Sequence, residues 1–186
     1  MNFESLASLL TKIEDKTVFL RFNPEVLDFT EKDSPCEMEF FVPEGTNFKI
    51  SLKDETLPLI LSFLSLSLFD KDRKILTWNW KSFASYIFSK TGKFYDIKSS
   101  IIDLKIIESY NGIKKPVPET YSESLNRLKN LVSSGLWKES EPIYKKIHLP
   151  LMTTVIPALE KVGIVDFPNK SKVHAYYEIN GQENGR

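Results

Sequence analysis

Two periods of apolar spacing divide this chain. Period two marks strands: Thr17–Phe22, Glu37–Val42 and Phe48–Leu52 are short β-branched or aromatic runs, separated by Asn23-Pro24 and by Pro43-Glu44-Gly45. They predict an antiparallel meander. Helical spacing marks Phe3–Ile13, apolar at 3, 6, 9, 10 and 13. It also marks a helix that starts within Lys53–Thr56 and runs to about Phe69, with acidic residues and Pro58 in its first turn. Ile75–Trp78 is the next strand, Asn79 the turn after it, and Lys81–Lys90 a helix that Gly92 ends. A further extended piece begins near Tyr95, and Asp103 opens an apolar helix, Leu104–Tyr110. Asn111-Gly112 and Pro116–Pro118 form a connector. Glu119–Ser134 is then a helix with Leu125, Leu128 and Leu131 or Val132 on one face, stopped by Gly135. Trp137–Val162 is a long helical region, interrupted or kinked at Pro150 and Pro157 and capped by Gly163. Lys172–Ile179 alternates as a half-buried strand does, and 180–186 is polar. Strands that alternate with helices after an opening meander predict an α/β fold.

Composition changes this picture little. The 186 residues, 41% hydrophobic and 12% aromatic, are enough to bury a real core. Net charge is zero, but residues 1–70 hold 6 Lys/Arg against 13 Asp/Glu and residues 71–186 hold 19 against 12. The second half would suit an anion such as DNA, whereas a lysine-rich solvated surface explains the same asymmetry, and zero net charge disfavours strong non-specific nucleic-acid binding. One cysteine, Cys36, makes no internal disulfide, and the N-terminus lacks the basic flank of a secretory signal. Leu57–Phe69, the most apolar run, is shorter than the ~20 residues of a membrane span. The expectation is a cytoplasmic protein, in a bacterial or phage-infected cell, with no membrane partner.

The stretch Lys74–Tyr110 carries a resemblance. Trp78-Asn79-Trp80-Lys81-Ser82-Phe83, followed by Asp103 and Glu108-Ser109-Tyr110, resembles the 3′–5′ exonuclease domain of family A DNA polymerases. There, apolar residues lead into N-x-x-x-D, and a later acidic residue opens a helix ending in E-S-Y. Further on, Leu149-Pro150-Leu151, Ile156, Leu159-Glu160, Gly163-Ile164 and Asp166 match the segment that joins exonuclease to polymerase domain. Lys172-Val173-His174-Ala175-Tyr176-Tyr177 looks like the strand entering the palm, and Gly181–Arg186 like the G-T-x-T-G-R after it, with Glu183-Asn184 departing from that pattern.

The resemblance implies a ribonuclease-H-like mixed sheet flanked by helices, with a C-terminal helical region and a short strand tail. It divides the chain into an exonuclease-like domain (1–135), a helical connector (136–166) and a palm-entry tail (167–186). It also implies a degenerate active site. The family's metal-binding carboxylates fall on Arg21, Asn23, Phe83 and Leu125, and two-metal hydrolysis needs hard oxygen ligands that none of these supplies as an acid. Glu25, Asp28, Asp96 and Asp103 are the acids nearby in sequence. Arg21 is expected to replace metal charge with side-chain charge, pairing with a carboxylate such as Asp103 or Glu25, or stacking on an aromatic. No cofactor is expected in this chain, with Mg²⁺ needed only by a palm-and-fingers polypeptide beyond it. DNA contact, weak or confined to the assembled polymerase, is expected from Lys145, Lys146, Lys172, His174 and Arg186.

Blander readings stand beside these. Asn79 and Asp103 are expected as helix caps. Trp78 and Trp80 are able to stack on bases, but alternating tryptophans at a strand end are more often core on one side and partly exposed on the other. His148 has no second His or Cys at ligand spacing. The strand Lys172–Ile179 either packs back on the helical region 137–162 or waits for a partner chain, and the resemblance favours the partner.

Overall fold

The computed structural model describes residues 17–23, 36–41, 43, 47–53, 56–66, 73–94, 97 and 100–161. The expected helix Phe3–Ile13, the strand Lys172–Ile179 and the tail lie outside them. Five strands form one mixed sheet: β1 (Thr17–Asn23), β2 (Cys36–Phe41), β3 (Asn47–Leu52), β4 (Lys74–Trp78) and β5 (Ser100–Asp103), in the order β3-β2-β1-β4-β5. The first three pair antiparallel, as the meander predicts, while β4 joins β1 and β5 joins β4 in parallel. The extended piece expected near Tyr95 is this last strand, beginning at Ser100. Each parallel pairing requires a crossover with a helix in it. Helix α1 (Leu57–Leu64) precedes β4 and helix α2 (Trp80–Thr91) lies between β4 and β5.

Period-two alternation sends the sheet's side chains into two cores. Val18, Leu20, Phe22, Met38, Phe40, Ile50, Ile75 and Ile101 pack with α1 and α2 on one face. Phe19, Phe41, Leu76, Trp78 and Ile102 pack on the other, against α3 (Leu104–Tyr110), α4 (Tyr121–Ser133) and the helical segment beyond Gly135. The result is a three-layer α/β arrangement with both sheet faces covered.

After Gly135, whose φ of 81° ends α4's run, the chain forms one helical rod from Leu136 to Lys161. The rod contains α5 (Leu136–Ile143), a wide π turn at Tyr144–His148, a second at Leu151–Val155, and α6 (Ile156–Lys161). The interruptions expected at Pro150 and Pro157 take this form. Each proline crowds the carbonyl four residues before it, and a widened preceding turn relieves the crowding without breaking the helix. Thr153 and Thr154 hydroxyls donate to the Leu149 and Pro150 carbonyls, each at 2.8 Å. Tyr144 anchors the rod's start in the second core, Leu149 touches both cores, and α6 lies along α2.

Candidate functional site

In open α/β sheets, ligands bind beyond the carboxyl ends of parallel strands, where the strand order changes direction. Here that edge carries Arg21 and Asn23 on β1, Trp78 at the end of β4 with Asn79 after it, and Asp103 on β5. The register explains the neighbours. Arg21 lies opposite Glu39 on β2 and beside Trp78 on β4, and Glu39 lies opposite Lys49 on β3. A single row of one sheet face therefore reads Lys49, Glu39, Arg21, Trp78.

Glu39 is buried and takes two cations. Arg21 Nε donates to its Oε2 at 2.6 Å, a second guanidinium nitrogen bonds the same oxygen, and Lys49 Nζ reaches Oε1 at 2.6 Å. Burial pushes the Glu39 carboxyl up, but the bonds and charges of Lys49 and Arg21 together outweigh it and hold the group below its usual range. The Arg21 guanidinium also lies over the Phe41 ring, 5.2 Å from its centre. The expected carboxylate pair and the expected aromatic stack are thus both present, the carboxylate being Glu39 and not the named candidates Asp103 or Glu25. Asp103 lies two strands away, and Glu25 is outside the described residues.

Asp103 ends β5 and is fully buried. Its carboxylate caps α3, accepting from the Lys105 N–H at 3.0 Å and the Ile106 N–H at 3.4 Å. It also accepts the Trp80 N–H at 2.6 Å and the Asn79 N–H at 3.3 Å, so one carboxylate serves the starts of two helices. Burial raises its pKa to about 6 against the pull of these N–H donors. Its own N–H donates to the Tyr144 hydroxyl at 2.9 Å, and that hydroxyl donates to the Ile101 carbonyl at 3.1 Å. Burial, then the nearby Asp103 charge, push the Tyr144 phenol up, so it stays protonated as a donor.

Asn79 departs from its expected role. It occupies the N-cap position in a left-handed conformation, φ 64° and ψ 57°, with no side-chain bond to the helix backbone. Its amide donates instead to Ser82 Oγ at 2.7 Å, while the Ser82 N–H donates to the Asn79 carbonyl at 3.2 Å. Trp78 and Trp80 are both buried, on opposite faces of the sheet, since helices cover both faces; neither has the exposed side that was expected, and neither is open to a base. The Arg127 guanidinium lies 5.9 Å from the Trp78 ring centre. It bonds Glu108 at 3.3 Å, the Pro116 carbonyl at 2.8 Å and Glu123.

The four positions that the resemblance gives to metal-binding carboxylates do not converge. Arg21 and Asn23 share one face of β1, and Leu125 is half-buried against that face's core. Phe83 belongs to the opposite face, packed edge-on against Phe22 at 6.0 Å and tilted against Trp80 at 4.9 Å. An arginine bound to a glutamate, a phenylalanine in a core and a leucine offer no ligand set for a divalent ion. Among the described residues no group of three or more His, Cys, Asp or Glu side chains comes together. Lys145 and Lys146 are exposed on the rod, and Lys145 is paired with Glu141 at 2.7 Å. His148 sits edge-on to Tyr110 at 5.8 Å. Lys172, His174 and Arg186 lie outside the described residues, as do Glu25, Asp28 and Asp96. A groove of about 30 Å³ between α2 and the rod, lined by Trp80, Phe83, Ile87, Phe94, Ile97 and Thr153, has room for little more than a water molecule.

The residues that organise this edge, Glu39, Arg127 and Tyr144, were not singled out by sequence. The signal for Glu39 was slight: Cys36–Phe41 alternates Cys, Met and Phe with Glu37 and Glu39, so both acids share one face of β2, and only the strand register sets Glu39 opposite the lone arginine of TVFLRF. Tyr144 left no such mark, because its partners lie 41 and 43 residues away, and of Arg127's partners only Glu123, four residues away, is local, while the Pro116 carbonyl lies 11 and Glu108 19 residues away. Compared with family models, curated proteins and solved structures, the chain matches none.

Proposed function

We propose that the chain is the N-terminal part of a family A-type DNA polymerase: an exonuclease-like domain of ribonuclease-H-like design that has lost its metal site and acts as a scaffold. In this reading it supports DNA synthesis in replication or repair only together with a polypeptide that carries the palm and fingers, and the Mg²⁺ chemistry belongs to that polypeptide. One observation carries the reading. At the position that the resemblance gives to a metal-binding carboxylate, Arg21 is locked between Glu39 and Phe41. A fixed cation there replaces the positive charge a metal would bring, and it repels a second one. An opening meander followed by parallel crossover strands adds support for the fold. No relative contributes; the motifs and this site chemistry do.

Incubating the pure chain with 5′-labelled single-stranded DNA and Mg²⁺ or Mn²⁺ tests the scaffold role, with no shortening expected. Stepwise, chelator-sensitive loss of 3′ nucleotides would overturn it. The polymerase assignment is tested by the coding sequence that follows the Arg186 codon or its neighbouring gene, where palm motifs are expected.

A second reading, a stand-alone nucleic-acid-binding module, draws on the exposed Lys145 and Lys146. Binding to DNA tighter than ~1 μM at physiological salt, with a steep salt dependence, would favour it.

A further inference from the structure

The end of α3 is clasped to the rod by two neighbouring side chains. Asn111 Nδ2 donates to the Ile107 carbonyl at 2.8 Å and to Ser140 Oγ on α5 at 3.1 Å. The Tyr110 ring stands edge-on to His148, 5.8 Å between centres. The Ser140 hydroxyl gives its one proton to the Leu136 carbonyl. Both partners of the Asn111 amide therefore act as acceptors, and an NH₂ group, with its two donors, satisfies them together. Asn111-Gly112 is also a chemically reactive pair. The Gly112 nitrogen is able to attack the Asn111 Cγ, yielding its proton to solvent. The Cγ–Nδ2 bond then breaks and ammonia leaves. Water opens the resulting imide at either carbonyl, so amide plus water becomes carboxylic acid plus ammonia, as aspartate or isoaspartate. Glycine lacks the side chain that shields this nitrogen elsewhere. Gly112 is exposed, with open space where a Cβ would stand.

The folded joint holds this chemistry off. Asn111 has ψ 12°, which turns the Gly112 nitrogen away from the side chain it would attack. The Gly112 N–H donates to the Ser109 carbonyl at 3.0 Å, and the leaving nitrogen is held by Ile107 and Ser140. Cyclisation therefore needs the turn at Asn111 and Gly112 to unwind and the amide to leave Ser140. Such local openings are brief, and the rate of a slow reaction follows the fraction of time spent open. The product does not fit back. A carboxylate at this position has no proton to offer, and it meets the Ile107 carbonyl and the Ser140 oxygen. Its charge also lies beside the last carbonyls of α3, which repel it.

We propose that Asn111 is a one-way modification site: opening of the joint between α3 and the rod admits deamidation, and the acid formed keeps the joint from closing again. The inference stands apart from the polymerase reading. The full chain, held in warm, mildly alkaline buffer, tests it, with peptide mapping by mass spectrometry to follow the acid formed at Asn111. Folded wild type should react at least ~10-fold more slowly there than the same chain in concentrated urea. Ser140→Ala takes away one hold on the amide and should speed the folded reaction several-fold. Should that variant lose the near-ultraviolet tryptophan signal of the folded protein, His148→Ala, which frees the Tyr110 ring, decides in its place. Hydrogen exchange on Asn111→Asp reads the second step. Amides of α5 and of the end of α3 should exchange at least ~10-fold faster than in wild type, with β1 and β2 unchanged. Equal rates in buffer and urea, a rate indifferent to the loosening variant, or no acid at Asn111 even in urea overturns the gated site. Exchange of α5 in Asn111→Asp that matches wild type overturns the one-way step.

Discussion

Asp103 concentrates the demands of this fold on one side chain. Four backbone N–H groups from two helix starts end on its two oxygens, and the side chain is sealed from solvent. Asp103→Ala leaves those donors unpaired and should cost about 3 kcal/mol at neutral pH, a fall of about 6–12 °C in Tm. The pH dependence has a definite sign. The folded pKa is raised, from 3.8 to about 6, so the folded protein holds the proton more tightly than the unfolded chain. Its contribution is fully present below pH 3.8 and is lost as pH rises through about 6, a change of about 3 kcal/mol. The difference between wild type and Asp103→Ala in urea unfolding should therefore be larger at pH 4 than at pH 7. Glu39 runs the other way: its lowered pKa gives stability that is lost as pH falls through the acid range. Phe83 supplies a second residue-scale test. Phe83→Asp puts an acid back where the resemblance expects one, yet that side chain lies in the core with Phe22 and Trp80, across the sheet from Arg21. The expected outcome is a loss of about 4 kcal/mol or more and no rise in Tm with millimolar Mg²⁺. A Mg²⁺-dependent rise of several degrees would place residue 83 beside Arg21 after all.

At the scale of elements, the rod lies where the long helical region 137–162 was expected, but its hold on the sheet edge was not foretold. β5 is an edge strand, and Tyr144 closes part of that edge by accepting from the Asp103 N–H and donating to the Ile101 carbonyl. Tyr144→Phe keeps the buried ring and removes both bonds. It should cost about 2 kcal/mol and speed exchange of the Asp103 amide well beyond that of amides in β1. Equal acceleration in β1 and β5 would mean that the hydroxyl does not act locally. Element existence was largely legible from periodicity: β1 to β4, α2 and α3 lie within a residue or two of their expected ends. α3 and its Asp103 cap agree residue for residue, because the cap chemistry is local. The inward face of α4 was legible only in part. Leu131 is buried as expected, but Val132 is exposed, and Arg127 takes an inward place because Glu108 and the Pro116 carbonyl meet it there.

For the molecule as a whole, the rod joins the two cores. Tyr144 and Met152 belong to the core on one face of the sheet, Leu149 reaches both, and α6 lies on α2 across the other. A chain ended at Gly135 would expose apolar surface on both faces and uncover the β5 edge. Such a chain should show no cooperative urea transition and should bind a hydrophobic dye, whereas a chain ended at Lys161 should keep a cooperative transition. Sharp, reversible unfolding of 1–135 would instead make the rod an appendage.

Sequence by itself determined the class of the molecule and most of its pieces. Alternation, glycine stops and an N-cap act within a few residues, so they are written where they act. Of the candidate site, sequence yielded residue types alone: Arg21, Phe83 and Leu125 carry no carboxylate. Only the tertiary structure decided what surrounds them. Which strand lies beside β1, and in which register, put Glu39 between Arg21 and Lys49. Which face α2 covers put Phe83 across the sheet from Arg21, and the helix starts brought together by β4 and β5 turned Asp103 from one cap into two. These pairings join residues 10 to 24 positions apart, and no local propensity fixes a partner at that distance; packing and strand register do.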